Sequence, residues 1–502
     1  MAAGDLARAA AWTASCLLAA RHLAGTWQLA RTLVWLREGH EHRDQGSERS
    51  PQDIHVIVPV LREQAHIAAA LTWWEPHLAA FPGMSLTFVT TAREERERES
   101  LAVEISSCDR LSAADFPQIP AEVVAELDRV RPGEGKRVPV EAALRILSET
   151  PLTQQVVDAL LATGDHPQVR HVTYLGAGRK AAQVNYAARG LPDGGYVAIY
   201  DIDSRPDRAA LTAIRSVLSA GRPPIVQQHA LHSLPLSASD GGAGGSSLQR
   251  RLVSGTALLQ TVWTVRREIP YARRHQRFTC RSGIVAGLRA GLSQPVGHGL
   301  FLRHDVLADL DGLPETAVLD DVPTGVPLAL LRIPTLSVPH LTEVPAARTV
   351  AEAIAQGRRW FCSYLDYPRM LRAAAHDGQG TPARRRLIGT IALYRGASWL
   401  AASPVTALAI GAAVAPRSGR GLRTTAITGL VLAAIAPVVM TATIRGRPLH
   451  PTVVARDSTD LLLAYLTRSI GPWLAVADAL RGQHPTVADA PSPKTHHRGD
   501  TT

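Results

Sequence analysis

Few features of this sequence fix a compartment or a partner at sight. Cysteine is scarce: Cys16, Cys108, Cys280 and Cys362 lie far apart and form no C-x-x-C pair. That spacing argues against a disulfide framework or a zinc site and fits a reducing compartment. Aromatic residues make up 5% of the chain, which leaves little for base-stacking platforms. There is no zinc-finger spacing, basic leucine-zipper pattern or aromatic ribonucleoprotein motif, so no nucleic-acid partner is expected. No small-residue cleavage site follows the apolar N-terminal stretch, so it does not read as a signal peptide.

What is present is a basic, apolar chain. Its 502 residues carry 54 Lys and Arg against 44 Asp and Glu, a net charge of +10. With nucleic acid set aside, an anionic membrane surface or a phosphorylated substrate accounts for that balance. Hydrophobic residues reach 46%, too many for general disorder, and they concentrate toward the two ends.

The N-terminal stretch Leu6 to Leu36 is apolar but interrupted by Arg21, His22 and Arg31. It reads as one imperfect membrane helix or as an amphipathic helix in the interface, within residues 1–38. Gly39 to Gln52 reads as a linker. From Asp53 the pattern alternates. Ile54–Val60, Ser85–Thr91, Val172–Leu175, Tyr196–Tyr200 and Pro224–His232 read as strands. Leu61–Leu78 and Ala181–Arg189 read as helices. This alternation predicts an α/β domain over 53–370 with a mostly parallel sheet. The charged run Arg93–Glu99 reads as a solvated helix face. Residues 101–169 read as a helical insertion, with helices near Ala121–Val130 and Val140–Leu147. Leu236–Ser247, rich in Gly and Ser, reads as a surface loop, and Thr256–Arg274 as a helix. Gly396–Pro416 and Thr424–Ile444 each run 21 residues without a charge, the length a bilayer core demands, so 384–480 is expected to hold membrane helices. Pro404 and Pro437 are tolerable there. Leu461–Leu480, with Arg468 and Asp478, either spans or lies on the surface. The arginines flanking these segments on the side of the soluble domain place that domain in the cytosol. The tail 484–502 reads as disordered.

Chemistry concentrates in a few motifs. Asp201-Ile202-Asp203 follows a strand, and ligands of open α/β sheets bind at that edge. Two carboxylates at i, i+2 can share a divalent cation that neutralises a diphosphate; the plain alternative is a turn. Lys180, beside a Gly-rich turn at a helix start, could hold phosphate or simply be solvated. In Asp320-Asp321 a carboxylate could act as general base, or the doublet could mark a helix N-terminus. In Gln356-Gly357-Arg358-Arg359-Trp360, Arg359 could bind diphosphate and Trp360 could stack on a sugar. The alternative is a basic amphipathic helix on lipid.

Taken in order, these pieces resemble the membrane-bound family-2 glycosyltransferases, the branch with cellulose, hyaluronan and chitin-oligosaccharide synthases. The resemblance rests on Val56-Ile57-Val58-Pro59-Val60-Leu61-Arg62-Glu63, Gly178-Arg179-Lys180 with Asn185-Tyr186-Ala187, Asp201-Ile202-Asp203, Gly297-His298-Gly299, Asp320-Asp321 and Gln356-Gly357-Arg358-Arg359-Trp360. It implies a Rossmann-like GT-A domain with α-helical transmembrane segments. It also implies inverting transfer from a nucleotide-sugar donor to a glycan or lipid-linked acceptor at the cytosolic membrane face. Asp201 would contact the donor, with Pro59, Glu63 and Lys180 on the donor side. Asp203, with Asp201, would hold Mg2+ or Mn2+. Asp321, in the doublet with Asp320, would be the base. Gln356, Arg359 and Trp360 would hold the diphosphate and the acceptor end, with His298 on the acceptor side or in the core. The chain departs from the family's pattern at Arg62, where Asn is usual. It departs again at Thr90-Thr91-Ala92-Arg93-Glu94, where a base-reading Asp is usual, and that leaves the nucleobase open. A catalytically degenerate scaffold subunit is the second reading and a transporter the third. Sugar, linkage and oligomeric state are not legible.

Overall fold

The computed structural model describes residues 3–41, 52–107, 140–176, 178–233, 246–292, 295–315, 319 and 321–483. The fold is mixed α/β. Its strands are β1 (Ile54–Pro59), β2 (Met84–Thr91), β3 (Val169–Tyr174), β4 (Tyr196–Ile199), β5 (Ile225–Ser233), β6 (Leu300–Arg303) and β7 (Thr335–Pro345). They form a seven-stranded sheet in the order β3-β2-β1-β4-β6-β5-β7. The pairs β1–β2, β1–β4, β2–β3 and β5–β7 are parallel. Continuous β-branched runs such as Ile54–Val58 suit strands covered on both faces, and Val56, Ile57 and Val58 are fully buried. The expected helices near 121–130, much of the 39–52 linker, the Gly/Ser loop and the 484–502 tail lie outside the described residues.

The chain divides into two compact units. Among the described residues, one comprises those within 52–205 and 301–315. It holds β1 to β4 with the helices Gln64–Ala80, Arg93–Ser106, Val140–Glu149, Thr153–Leu161 and Lys180–Arg189. Its core is anchored by large rings: Trp74 meets Tyr200 at 5.2 Å and Tyr200 meets Phe301 at 5.9 Å, both edge-on. Each ring fully withdrawn from water contributes about 1.5–3 kcal/mol. The insertion packs Ala143, Ile146 and Leu147 onto Leu101 and Ile105. The run Arg93–Glu99 is not wholly solvated, because Glu94 is buried. Its carboxylate accepts from the Thr153 backbone N–H at 3.2 Å and from Gln64 Nε2 at 2.9 Å.

The other unit comprises residues 1–50, 206–300 and 317–485. Residues Ala3–Glu41 form one helix of 39 residues. It lies along the helix Arg420–Ile444, where Gly429 lets the backbones meet: a Cβ there would sit 3.1 Å from the Ala19 nitrogen. Small residues at such crossings bring helices together. The helix expected over Thr256–Arg274 runs instead from Ser247 to Phe278 and contains a π-helical turn at Thr264–Glu268.

The C-terminal region differs from the expected straight spans. Arg420–Ile444 is long and apolar enough to cross a bilayer, with a mean hydropathy of 2.2. Gly396–Pro416 is not one helix. Pro382–Leu400 and Ala402–Val414 meet at 47°, and they count as a second crossing only if taken together. Pro404 explains the break: it has no N–H for the Leu400 carbonyl, and its ring crowds that oxygen. Leu461–Leu480 is broken the same way, between Pro451–Thr467 and Ile470–Leu480, with Pro472 set four residues after Arg468.

Candidate active site

Sequence reasoning placed the donor side at the ends of β1 and β4, and the register puts those ends on one edge. Ile57 pairs with Ile199 in parallel, and the Tyr200 N–H donates to the Ile57 carbonyl at 3.2 Å. The segment Pro59–Glu63 and the turn Asp201–Ser204 therefore leave the sheet together. The turn is closed by the Ser204 N–H donating to the Asp201 carbonyl at 3.0 Å.

Lys180 begins its helix, and its Nζ donates to Asp201 Oδ1 at 2.7 Å. Both side chains are about two-thirds covered. Arg205 braces the turn from below, donating Nη1 to the carbonyls of Ile202 at 2.7 Å and Ser204 at 2.9 Å. Its guanidinium also acts on Asp203; burial leads the shift that brings Arg205 below its ordinary value, and Asp203 opposes it. Two cations thus flank two carboxylates on one turn. Arg205, missed in the sequence, was signalled by its place directly after the Asp-x-Asp-Ser run.

No group of three or more metal-ligating side chains occurs among the described residues. The donor set is two carboxylates at i, i+2, with one Asp201 oxygen already held by Lys180. That set fits Mg2+ or Mn2+, which bind through one or two carboxylates and complete their shell with substrate phosphates.

The first loop is tied to the insertion. Arg62 takes the left-handed conformation, φ 57°, uncommon for a residue with a Cβ. Its N–H donates to Thr153 Oγ1 at 3.1 Å. Its guanidinium pairs with Glu97, which also takes Arg93 at 2.5 Å. Arg62 and Arg93 are therefore partners of one carboxylate. Glu63 is buried next to them, at the start of the Gln64–Ala80 helix. Asn185 has a structural task. Its amide donates to the Leu313 carbonyl at 2.9 Å and to Glu315 at 2.8 Å, and its oxygen accepts from the Leu313 N–H at 2.7 Å.

The remaining predicted residues belong to the other compact unit. Asp321 opens the helix Asp321–Leu331, a position that also favours an acid through the helix dipole; Asp320 lies outside the described residues. Gln356, Arg359 and Trp360 share one face of the helix Val350–His376, at i, i+3 and i+4. Gln356 Oε1 accepts from Gln260 Nε2 at 2.5 Å. Arg358 turns elsewhere and pairs with Asp478 at 2.5 Å. His298 is buried in the seam beside β5, where its carbonyl accepts from Gln227 Nε2 at 2.9 Å. Gly299 beside it has φ +63°, and a Cβ would come within 2.9 Å of Gln228. The seam thus demands a glycine at position 299.

No protein-family model matches the sequence, and no curated protein matches it. Among solved structures, the mannosyltransferase PcManGT from Pyrobaculum calidifontis, in complex with GDP-Man and Mn2+, is similar over 93% of this chain and 99% of that one. The identity is 16% and the TM-score 0.39. TarS 1–349 from S. aureus in complex with UDP-GlcNAc is similar over 86% of this chain and 92% of that one, at 10% identity and TM-score 0.31. At such distance they assign no activity to this chain, whose chemistry rests on its own residues.

Proposed function

We propose that this protein is a membrane-associated, nucleotide-sugar-dependent glycosyltransferase of the inverting type. The observation that carries the reading is the Lys180–Asp201 pair beside Asp203 at the carboxyl edge of a parallel sheet. A lysine at a helix start and two carboxylates on one turn form a receptor for a diphosphate and its cation. Asp203 with Asp201 would hold Mg2+ or Mn2+, which supplies charge neutralisation for the leaving nucleoside diphosphate. Lys180 donates to the diphosphate oxygens in exchange for Asp201. Asp321 accepts the proton of the acceptor hydroxyl as that oxygen attacks the anomeric carbon. Gln356 and Arg359 hold the departing diphosphate, and Trp360 offers a ring face to the acceptor sugar. The acceptor is a glycan or lipid-linked sugar, and the helix Arg420–Ile444 supplies the membrane attachment in a cell membrane with the catalytic face cytosolic.

The test is a screen of nucleotide sugars with full-length protein in nanodiscs, with and without Mn2+. Turnover that needs metal, is lost in Asp321→Asn while donor binding persists, and is lost together with binding in Asp203→Asn supports the reading. A protein that binds no nucleoside diphosphate with Mn2+ ends it. The second reading, a degenerate scaffold subunit, draws on Arg62 and Arg93 enclosing Glu97 at the nucleoside loop. It predicts donor binding without turnover in the unaltered chain.

A further inference from the structure

By sequence the helix Ala3–Glu41 fits either a membrane crossing or an interfacial helix, since Arg21 and His22 interrupt its apolar run. The fold turns both of them inward. Buried positions form one stripe, spaced three and four residues apart, from Ser15 through Leu18, His22, Gly25 and Leu29 to Thr32. His22 Nδ1 accepts from Arg266 at 2.7 Å, and Arg21 donates Nη1 to the Ser398 carbonyl at 3.3 Å. Ser15 and Thr26 return their hydroxyls to the helix, donating to the carbonyls of Ala11 at 2.8 Å and His22 at 2.9 Å.

The opposite face is apolar. Between Arg8 and Arg31 every exposed position is an apolar side chain or Cys16, with Thr13 the one hydroxyl. Leu17 and Leu23 are 56% and 63% exposed on this face. Trp12 and Trp27 stand toward its two ends, as indoles do at the headgroup level of a bilayer. An interfacial helix presents its charges to water; this helix hides them and presents its apolar side. The rise from Arg8 to Arg31 is about 34 Å at 1.5 Å per residue, enough for a hydrocarbon core of about 30 Å.

The helix Arg420–Ile444, long and apolar enough to cross a bilayer, serves as a ruler. A Cβ on Gly419 would meet Arg8 at 3.7 Å, one on Gly421 would meet Trp12 at 3.3 Å, and one on Gly429 would meet Ala19 at 3.1 Å. Both numberings rise together, so the two helices run parallel. Between Arg423 and Arg445 the second helix carries no charge, a rise of about 33 Å, and it turns Ile427, Val431 and Ile435 outward. Arg8 stands level with the start of that helix. Carried on, the same register brings Arg31 to within about one turn of Arg445. Two apolar bands of the same height thus lie side by side between the same charged levels. Beyond Arg31 the first helix reaches the sheet: Arg273 lies 4.7 Å over the Trp35 ring, and a Cβ on Gly39 would come within 2.1 Å of Pro339 in β7.

We infer that Ala3–Glu41 crosses the bilayer beside Arg420–Ile444, with lipid hydrocarbon covering its exposed face and the N-terminus on the side away from β7. The inference rests on Arg420–Ile444 being a crossing and needs no sugar transfer.

The experiment uses the full chain in sealed membrane vesicles, with its four cysteines replaced by alanine and one cysteine returned at a time. Asp5→Cys, Arg37→Cys, Arg417→Cys and Arg447→Cys all fall at exposed positions, and a membrane-impermeant maleimide reports the side of each. Asp5→Cys and Arg417→Cys should label from one side, Arg37→Cys and Arg447→Cys from the other, each at least tenfold faster from its own side. A chain keeping only Cys16 should react at least tenfold faster with a permeant apolar maleimide than with the impermeant one, whichever side is reached. If Arg417→Cys and Arg447→Cys label from opposite sides but Asp5→Cys and Arg37→Cys from the same side, Arg420–Ile444 remains a crossing and the inference alone is overturned. If all four label from one side, both fall. Ready labelling of Cys16 by the impermeant reagent would put its face in water and overturn the lipid contact.

Discussion

Trp399 and Trp473 exchange hydrogen bonds across two broken helices. Trp399 Nε1 donates to the Arg468 carbonyl at 3.2 Å, and Trp473 Nε1 donates to the Leu400 carbonyl at 3.1 Å. These are the two carbonyls that Pro472 and Pro404 leave without a helical donor. Ser403 and Ser469 repeat the exchange between hydroxyls and backbone N–H groups, at 3.0 and 2.9 Å. Trp473→Phe removes one donor, so the Leu400 carbonyl loses its partner and stability should fall by about 1 kcal/mol. Pro404→Ala returns a backbone N–H to that carbonyl. The double variant should therefore lose less than the sum of the single changes, as read from a thermal or chaotrope-unfolding cycle. Strict additivity would mean that the indole and the proline are not coupled.

Lys180 should show opposite effects on metal and on nucleotide. Replacing it by Met removes the cation at 2.7 Å from Asp201. Mn2+ binding without nucleotide should tighten, since Asp201 becomes free to serve the metal. Nucleoside diphosphate affinity with Mn2+ should drop about tenfold to a hundredfold, the loss of one charge-assisted hydrogen bond. Titration calorimetry with metal alone and with metal plus nucleotide separates the two. An unchanged nucleotide affinity would remove Lys180 from the donor site.

Two buried histidines set an acid limit. Burial pushes His229 and His232 each down to about 3, and the nearby His298 acts in the same direction. His229 Nε2 is held by Ser337 Oγ at 3.0 Å. The unfolded chain then binds more protons than the folded one between about pH 6.5 and 3. Stability is fully present above 6.5 and lost as pH falls, by at most about 1.4 kcal/mol per pH unit for each histidine. Glu94 works the other way. Burial raises its carboxyl against the hydrogen bonds from Thr153, so its contribution favours folding below the ordinary carboxylate value and is lost as pH rises. His232→Leu should therefore flatten the acid limb, and Glu94→Gln should hold or raise stability at pH 7. Unfolding midpoints across pH 4 to 8 check both signs.

The strands that lead to Pro59–Glu63 and to the Asp201–Ser204 turn could be read from the sequence because both their faces are covered, so each appears as an unbroken apolar run. β1, β2 and β4 matched their expected spans to within a residue. β6 is only four residues long, Leu300–Arg303, too short to show a period. β7 contains Pro339 and alternates between buried and half-exposed positions, which masked it beside a preceding helix. The turn Asp201–Asp203 was legible because its chemistry is local. The Arg62–Glu97–Arg93 grouping and the Thr153 anchor were not, because they join residues up to 91 apart in sequence. The helix breaks at Leu400 and Thr467 have a local signal in Pro404 and Pro472, but Pro437 lies inside the unbroken helix Arg420–Ile444, so proline alone did not tell a break from a tolerated proline.

Gly471 tests whether the Gln356-x-x-Arg359-Trp360 face depends on its packing. A Cβ at Gly471 would lie 2.5 Å from the Ile354 carbonyl oxygen and 2.6 Å from the Arg358 nitrogen. Both are backbone atoms, so no side-chain rotation relieves the clash. Gly471→Ala must push the helix Ile470–Leu480 away from Val350–His376 and strain the Arg358–Asp478 pair. Overpacking of this kind costs about 1–3 kcal/mol, read as a lower unfolding midpoint. If Gln356, Arg359 and Trp360 act on substrate, the same shift moves them off position. Turnover should then fall further than the loss of folded protein accounts for, and Mn2+-dependent nucleoside diphosphate binding should weaken through Arg359 without being abolished if Lys180, Asp201 and Asp203 hold the rest of it. A variant that is destabilised but fully active per folded molecule would show that this helix face is scaffold, not site.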